Sequence, residues 1–406
     1  MQLSEINRIQ EIMKQMNLDG WLLYDFRGSN DLALSVLRIP SEKIASRRIF
    51  YLIPQSGSPV KIVNAIESGN LDHLPGEKLI YASHNSLKDA LSRVLKVGQN
   101  VAMEYSPNNN IPYISKVDAG SIEQIRALGV GVKSSADLIT MFTSVWTENQ
   151  LIDNLPVAKG LTKIVAETCN FIRDKKLDSL TLNEYEVQQH IFSEIETTNK
   201  WIAGHPPIVA VNKNSANPHY APTVDCHTEI KFGDCVLMDL WAKVNKPEGV
   251  WGDITWVAFM GETVPQKFND IFNIVAAARD SAFDFVCKRF TEGREIRGYE
   301  VDDAARKVIN DAGYGDYFVH RTGHSITTEG HGSGAHMDNF ESHDERLILP
   351  GNSFSIEPGI YLPGEFGIRS EIDVYVYPDG RVISTGEIQR EIIPIMGSSL
   401  IGRDTP

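Results

Sequence analysis

Two segments of this chain each place two acidic residues in a predicted β-hairpin, and this feature constrains the fold most strongly. In CVLMDLWAKVNKPEGVWGDITWVAF, two apolar, strand-like runs flank the turn-forming residues NKPEG. A hairpin centred on Lys246 sets Asp239 opposite Asp253, because each aspartate lies seven residues from that centre. The pattern therefore predicts two carboxylates that face each other across a pair of strands.

The second segment, SFSIEPGIYLPGEFGIRSEIDVYV, repeats this arrangement. A hairpin centred on Gly364 sets Glu357 opposite Glu371. Like charges directly opposite on a sheet are destabilising, and crowded carboxyl groups otherwise take up protons. Divalent cations remove that conflict, and oxygen ligands with an imidazole suit Mn²⁺ and similar ions. With His324 of HRTGHSITTEGH as the best imidazole candidate, the sequence predicts a two-metal hydrolase site.

The composition is that of an ordinary globular protein and excludes several classes of function. The 406 residues are enough for two domains, and 42% of them are hydrophobic. No apolar run approaches the length of a membrane-spanning helix, so we expect no membrane partner. The net charge of −14 disfavours nucleic-acid binding.

The cysteines and the N-terminal residues indicate the expected cellular compartment of the protein. The four cysteines are scattered and form no CxxC pair, which argues against a disulfide framework or a cysteine zinc site. The segment MQLSEINRIQEIMKQMN lacks the basic-then-apolar layout of a signal peptide. We therefore expect a cytoplasmic protein.

The chain changes character near residue 140. Before this point, short strand-like runs alternate with helical patterns, which predicts an α/β domain over residues 1–140 without catalytic residues. Residues 141–406 carry longer helices followed by hairpins, which is typical of an α+β domain. Within them, Pro156 predicts a break or kink, and Thr181 and Glu184 have the spacing of a capping box.

The motifs of the second half resemble those of one enzyme family. They are PPIVAVNKNSANPHYAP, MDLWA, GDITW, VDDAARKVINDAGYGDYFVHRTGH, SIEPGIY and FGIRSEIDV. In this order they resemble the "pita-bread" metallopeptidases, a family of Xaa-Pro aminopeptidases, prolidases and creatinases. The resemblance covers most of residues 150–395 and is weak in the N-terminal domain. It implies an α+β fold, with a C-terminal pita-bread catalytic domain preceded by a smaller α/β creatinase-like domain.

The resemblance also implies which residues bind metal. Asp239 would chelate one ion, while Asp253 and Glu371 would bridge both ions. His324 and Glu357 would complete the second ion. The family pattern thus predicts two divalent ions, with Mn²⁺ expected and Co²⁺ or Zn²⁺ as alternatives.

Further roles follow from the same resemblance. Glu357 matches the proton shuttle for the water that bridges the ions. His331 matches a histidine that contacts the substrate and stabilises the tetrahedral intermediate. His219 and His320 match two further histidines at the substrate.

The sequence also contains supporting positions and departures from the family pattern. The resemblance implies that Arg369 and Thr255 support the ligand carboxylates from behind. The gap between Asp239 and Asp253 is longer than the family's usual spacing, and Trp256 stands where relatives often carry arginine. The remaining histidines are interpreted as structural: His73, His84, His190, His205, His227, His336 and His343.

The expected function is hydrolysis of an Xaa-Pro peptide bond by a hydroxide that bridges two metal ions. Aminopeptidase and dipeptidase action both remain open, and the resemblance implies a homodimer. Two alternatives are an amidohydrolase acting on a small non-peptide amide and a non-catalytic module that binds a peptide or protein. The second alternative predicts lost metal ligands, whereas all five are present.

Overall fold

The structure is a computed structural model that describes residues 1–197 and 200–397. It divides into two compact units, Met1–Thr143 and Ser144–Pro406. Within the described ranges, no helix has both the length and the apolar character needed to cross a bilayer.

The first unit is built around a six-stranded sheet. Its elements are α1 Leu3–Gln15, β1 Gly20–Asp25, α2 Asp31–Leu37, β2 Ile49–Pro54, β3 Val60–Asn64, β4 Glu77–Tyr81, α3 His84–Val94, β5 Asn100–Met103, α4 Ala119–Arg126, β6 Gly131–Ser134 and α5 Ala136–Thr143. The strand order is β4-β3-β2-β1-β5-β6; strands β1/β2 and β2/β3 are antiparallel, and the other neighbours are parallel. Apolar side chains on both sheet faces are buried against these helices, which confirms the predicted mixture of strands and helices.

The second unit contains two pairs of helices, and antiparallel strands follow each pair. The helices are α6 Glu148–Leu177, α7 Glu184–Thr197, α8 Gln266–Thr291 and α9 Gly298–Asp311. The sequence predicted a break or a kink at Pro156, and the break is wrong, because α6 continues through this residue. Pro156 lies on the exposed side of the helix, while Leu151 and Val157 on the other side are buried. Packing of that buried side outweighs the one hydrogen bond that proline removes.

Among the described residues, the strands of the second unit form three sheets. They are β7 Trp201–Ile202, β8 Ile208–Val211, β9 Cys235–Val244, β10 Trp251–Phe259, β11 Ser325–Ile326, β12 Ser353–Ile356, β13 Gly359–Leu362, β14 Phe366–Arg369, β15 Ile372–Val376, β16 Val382–Ser384 and β17 Ile393–Pro394. One sheet has the order β17-β10-β9-β7, with β8 also paired to β9. The others are β11-β12-β15-β16 and the hairpin β13-β14. Helices α6 and α7 share a core with β8–β10, whereas α8 and α9 share one with β10, β12, β13, β14 and β15.

The first acidic hairpin has a different register from the predicted one. Asp239 pairs with Thr255, and Asp253 pairs with Trp241, so the centre lies at residue 247 rather than Lys246. The loop closes when the Lys246 N–H donates to the Val244 carbonyl and the Gly249 N–H donates to the Lys246 carbonyl. The predicted direct pair is therefore wrong. Because the pairing shifts by two residues, both aspartates still point to the same face of the sheet.

The second acidic hairpin has the predicted centre. Gly359 pairs with Arg369 and Ile356 pairs with Ile372, and both pairs are symmetric about Gly364. Gly364 has a φ of +80°, a conformation that glycine adopts without strain. Glu357 and Glu371 lie between these two ladders, at positions with the same centre, and so come from neighbouring strands.

Candidate metal centre

Carboxylates from both hairpins and one histidine converge in the second unit. Ligand atoms of Asp253, His324 and Glu371 all lie within 4.8 Å of one another. The His324 Nε2 is also 3.4 Å from Glu357 Oε1. Together with Asp239, these residues line a cavity of about 840 Å³. The structure thus brings together all five residues that the sequence predicted as metal ligands.

His324 presents an unprotonated ring nitrogen to the carboxylates. Its Nδ1 lies 3.3 Å from the Ser325 carbonyl oxygen, which accepts a hydrogen bond, so Nδ1 carries the proton. Burial, aided by Arg321, lowers the pKa of His324 to about 3, so the ring is neutral at physiological pH. The Nε2 lone pair is therefore free to bind a cation.

The carboxyl groups are arranged at an electrostatic cost. Burial raises the pKa of Asp253 well above its ordinary value, and Asp239 and Asp373 raise it further. Burial and the nearby Asp253 do the same to the pKa of Glu371. The Oδ1 atom of Asp253 is buried without a hydrogen-bond donor among the described residues. The Asp253 oxygen without a donor, the closely spaced acids and the neutral imidazole together fit divalent ions. Such ions would supply the positive charge that stabilises the ionised carboxylates.

Arg369 and Thr255 contact the acids of this site. The Arg369 guanidinium forms an ion pair with Asp239, and its Nε donates to Thr255 Oγ1 at 2.9 Å. The Thr255 hydroxyl in turn donates to Glu371 Oε2 at 2.7 Å. All four residues are buried. This chain of contacts joins the first hairpin to the second.

Asp373, which was not predicted from the sequence, also supports the site. Its Oδ2 accepts a 2.7 Å hydrogen bond from the backbone N–H of Asp253. It lies two residues after Glu371, on the side of β15 that alternation places with that glutamate. The spacing of two residues from Glu371 is the sequence feature that could have predicted the position of Asp373.

His320 is held by hydrogen bonds at both ring nitrogens. Its Nδ1 donates to the Arg321 carbonyl at 2.6 Å, so its Nε2 accepts from the Tyr361 hydroxyl at 2.7 Å. The Tyr361 oxygen also accepts from Arg369 at 3.1 Å. Burial lowers the pKa of His320 to about 3 and raises the pKa of Tyr361 to about 12. His320 lines the cavity, but its nitrogens are already used within the protein.

His331 and His219 are exposed and lie on the cavity wall. The ring of His331 stands edge-on to that of His324, with centroids 4.3 Å apart. The neighbouring His324 ring, together with the partial desolvation of the imidazole in the cavity wall, lowers the pKa of His331 to about 4. Both exposed histidines are therefore placed where a bound molecule would meet them.

Glu184 anchors the loop that carries His219, and the predicted capping box at this position is wrong. Glu184 is fully buried and accepts hydrogen bonds from four groups of the loop: the Val211 and Thr228 N–H groups, the Asn214 amide and the Tyr220 hydroxyl. The box is formed instead by Asn183 and Glu186. The Glu184 carboxylate therefore forms long-range hydrogen bonds to the loop instead of the local capping hydrogen bond that the motif predicted.

The outer wall of the cavity was also missed. Trp241, Lys243 and Trp251 line it, as does His205, which was interpreted as structural. The two tryptophans lie two residues from Asp239 and Asp253 respectively, so strand alternation places them on the same face.

The chain belongs to metallopeptidase family M24, whose model matches residues 157–378. It is 33% identical over 352 residues to the putative dipeptidase YkvY of Bacillus subtilis, covering 85% of this chain and 88% of that protein. It is 35% identical over 164 residues to an Xaa-Pro dipeptidase of Lactobacillus delbrueckii subsp. lactis, and this match spans 40% of each protein.

The fold is shared with a solved dipeptidase structure. Dipeptidase PepE of Mycobacterium ulcerans aligns with a TM-score of 0.65 and 21% identity over 96% of both chains. The predicted α+β architecture, a pita-bread domain after a smaller α/β domain, is thereby confirmed.

Proposed function

We propose that this protein is a dinuclear metallopeptidase that cleaves an Xaa-Pro peptide bond. The observation that carries the proposal is the convergence of Asp253, His324 and Glu371 within 4.8 Å, in a chain of the M24 family. Asp239 and Glu357 line the same cavity and complete a set of five ligands. The similarity to an Xaa-Pro dipeptidase supports the specificity.

The five residues, Asp253 and Glu371 among them, would hold two divalent ions. When bound, the ions supply Lewis-acid polarisation of the scissile carbonyl and lower the pKa of a water molecule. The intact ligand set weighs against a non-catalytic binding module. We further propose Mn²⁺ as the metal, a homodimeric assembly and a cytoplasmic location, as expected from the sequence.

Glu357 is proposed to carry the proton. It is half-buried, its Oε1 accepts a 3.1 Å hydrogen bond from the Ser355 hydroxyl, and its Oε2 lies 3.9 Å from Arg369 Nε. These contacts fix the carboxylate toward the cavity. From there it takes a proton from the attacking water and delivers it to the departing proline nitrogen.

The histidines on the wall are proposed to bind and orient the peptide. His331 is neutral at physiological pH because its pKa is lowered to about 4. It therefore stabilises the developing oxyanion as an N–H donor rather than as a cation. His219 contacts the peptide from the opposite loop. His320 shapes the wall through its ring, since both of its nitrogens are hydrogen-bonded.

Elemental analysis combined with peptide hydrolysis tests the proposal. We expect about two metal ions per chain and hydrolysis of Ala-Pro or Ala-Pro-Gly at the bond before proline. Comparing the two peptides with Mn²⁺, Co²⁺ and Zn²⁺ separates dipeptidase from aminopeptidase action. Failure to bind metal, or metal binding without hydrolysis of any Xaa-Pro peptide, would refute it.

A further inference from the structure

The hairpin that carries Asp239 and Asp253 continues outward along the cavity with a different chemistry. Three successive cross-strand pairs lie on one face of the hairpin, and all of their residues except Thr255 line the cavity: Asp239–Thr255, Trp241–Asp253 and Lys243–Trp251. From the metal end outward, the face changes from carboxylates to indole rings and then to an ammonium group. Trp241, Lys243 and Trp251 are called the outer subsite below.

The indole rings of the outer subsite are held in place before any ligand binds. Trp241 Nε1 donates to the Ala203 carbonyl at 2.9 Å, and the His205 ring packs edge-on against this indole at 4.7 Å. Trp251 Nε1 donates to the Thr328 carbonyl at 3.0 Å. Because these side chains are fixed, binding against them requires little additional ordering.

Lys243 brings a positive charge to this wall. Its Nζ donates to the Thr328 carbonyl at 2.8 Å and lies 4.8 Å from the centre of the Trp251 ring. Across residues 1–197 and 200–397, no carboxylate forms an ion pair with it. An ammonium group has three donors, so two remain for a ligand.

Lys243 differs from the other charged groups on this part of the wall, because among the described residues no carboxylate neutralises its charge. Arg321 is paired with Glu341 at 3.6 Å. Glu329 is exposed, and water screens its carboxylate. A carboxylate on a bound molecule would therefore find its partner at Lys243.

We propose that the outer subsite binds a carboxylate of the substrate, an inference that rests on the proposed peptidase function. Lys243 lies about 13 Å from Asp239 along β9, since a strand rises about 3.3 Å per residue. The carboxylate must therefore be separated from the scissile carbonyl by several bonds. Two sources meet this condition: an acidic side chain before the proline, and the C-terminal carboxylate of a residue after it.

Matched pairs of substrates separate the two sources. Glu-Pro against Gln-Pro changes only the charge of the side chain, and Ala-Pro-Gly against its C-terminal amide changes only the charge of the terminus. We expect kcat/KM to favour the charged member of one pair by about tenfold, the size of one charge-assisted hydrogen bond. Lys243→Met should bring this ratio to about one, and Lys243→Glu should reverse it.

Lys246→Met is the control variant. Lys246 belongs to the same hairpin but pairs with Asp153 and does not line the cavity, so its loss should leave the ratio unchanged. Ratios near one in both pairs for the unmodified protein would overturn the proposal. So would a preference that survives Lys243→Met.

Failure of the peptidase function is distinguishable from failure of the subsite. If no peptide is hydrolysed, including Ala-Pro, the proposed function is refuted. The same peptide pairs are then compared by calorimetric binding to the Mn²⁺-loaded protein. Tighter binding of one charged member, lost in Lys243→Met, supports the subsite, whereas equal affinities within both pairs refute it.

Discussion

Replacing Thr255 with valine tests whether the support behind the acids matters to metal binding. The change keeps the shape of the side chain but removes the hydroxyl between Arg369 and Glu371. Both partners are buried and Arg369 is charged, so each lost hydrogen bond leaves a desolvated atom without a partner.

The magnitude follows from these two contacts. A hydrogen bond to a charged group contributes about 1.5–3 kcal/mol, and the two share one hydroxyl, so we expect the free energy of unfolding of the metal-free protein to fall by about 2–4 kcal/mol. Loss of this support should also weaken Mn²⁺ binding about 10–100-fold. Urea denaturation measures the first quantity and calorimetric titration with Mn²⁺ measures the second.

Thr168→Val is the matched control. Thr168 is also fully buried, but its hydroxyl has no hydrogen-bond partner among the described residues. Its replacement should leave the free energy of unfolding unchanged or raise it. If the two valine variants lose equal stability, or if Thr255→Val binds Mn²⁺ as tightly as the unmodified protein, the supporting role is wrong.

Three further predictions concern the metal centre. Asp253→Asn should abolish hydrolysis and lower the metal content without destabilising the metal-free fold, because it removes one of the crowded acids; elemental analysis and thermal unfolding check this. The pKa values of Asp253 and Glu371 are raised, so their stabilising effect on the metal-free protein is present below about pH 4 and is lost as pH rises through the folded pKa values. Mn²⁺ must displace those protons, so its affinity should rise with pH, and its binding heat should differ between buffers of different ionisation enthalpy. His331→Ala should lower kcat but retain the metal content, and loss of metal would contradict its assignment to the substrate.

The acidic hairpins were predictable because strand periodicity and turn residues are local signals. Gly364 fixed the centre of the second hairpin correctly. The predicted register of the first acidic hairpin was wrong by two residues. The reason is that the loop after Val244 closes through backbone hydrogen bonds, which the residue types in NKPEG do not specify. The predicted face of the two aspartates is still correct, since a shift of two residues preserves the alternation of side chains between the two faces of a strand.

Features that depend on distant contacts were not predictable in the same way. Glu184 has the spacing of a capping residue, yet its carboxylate is taken by a loop more than twenty residues away. Pro156 has the local character of a helix breaker, yet the packing of α6 overrides it. In both cases a weak local preference competed with tertiary interactions that no short motif encodes.

The ion pair between Asp239 and Arg369 has a consequence for synthesis of the chain on the ribosome. The aspartate emerges 130 residues before the arginine that neutralises it. A truncated product that ends between them would have to enclose an acid without its counter-charge, at a cost of several kcal/mol. The pocket that holds Asp239 can therefore be completed only once Arg369 has been synthesised.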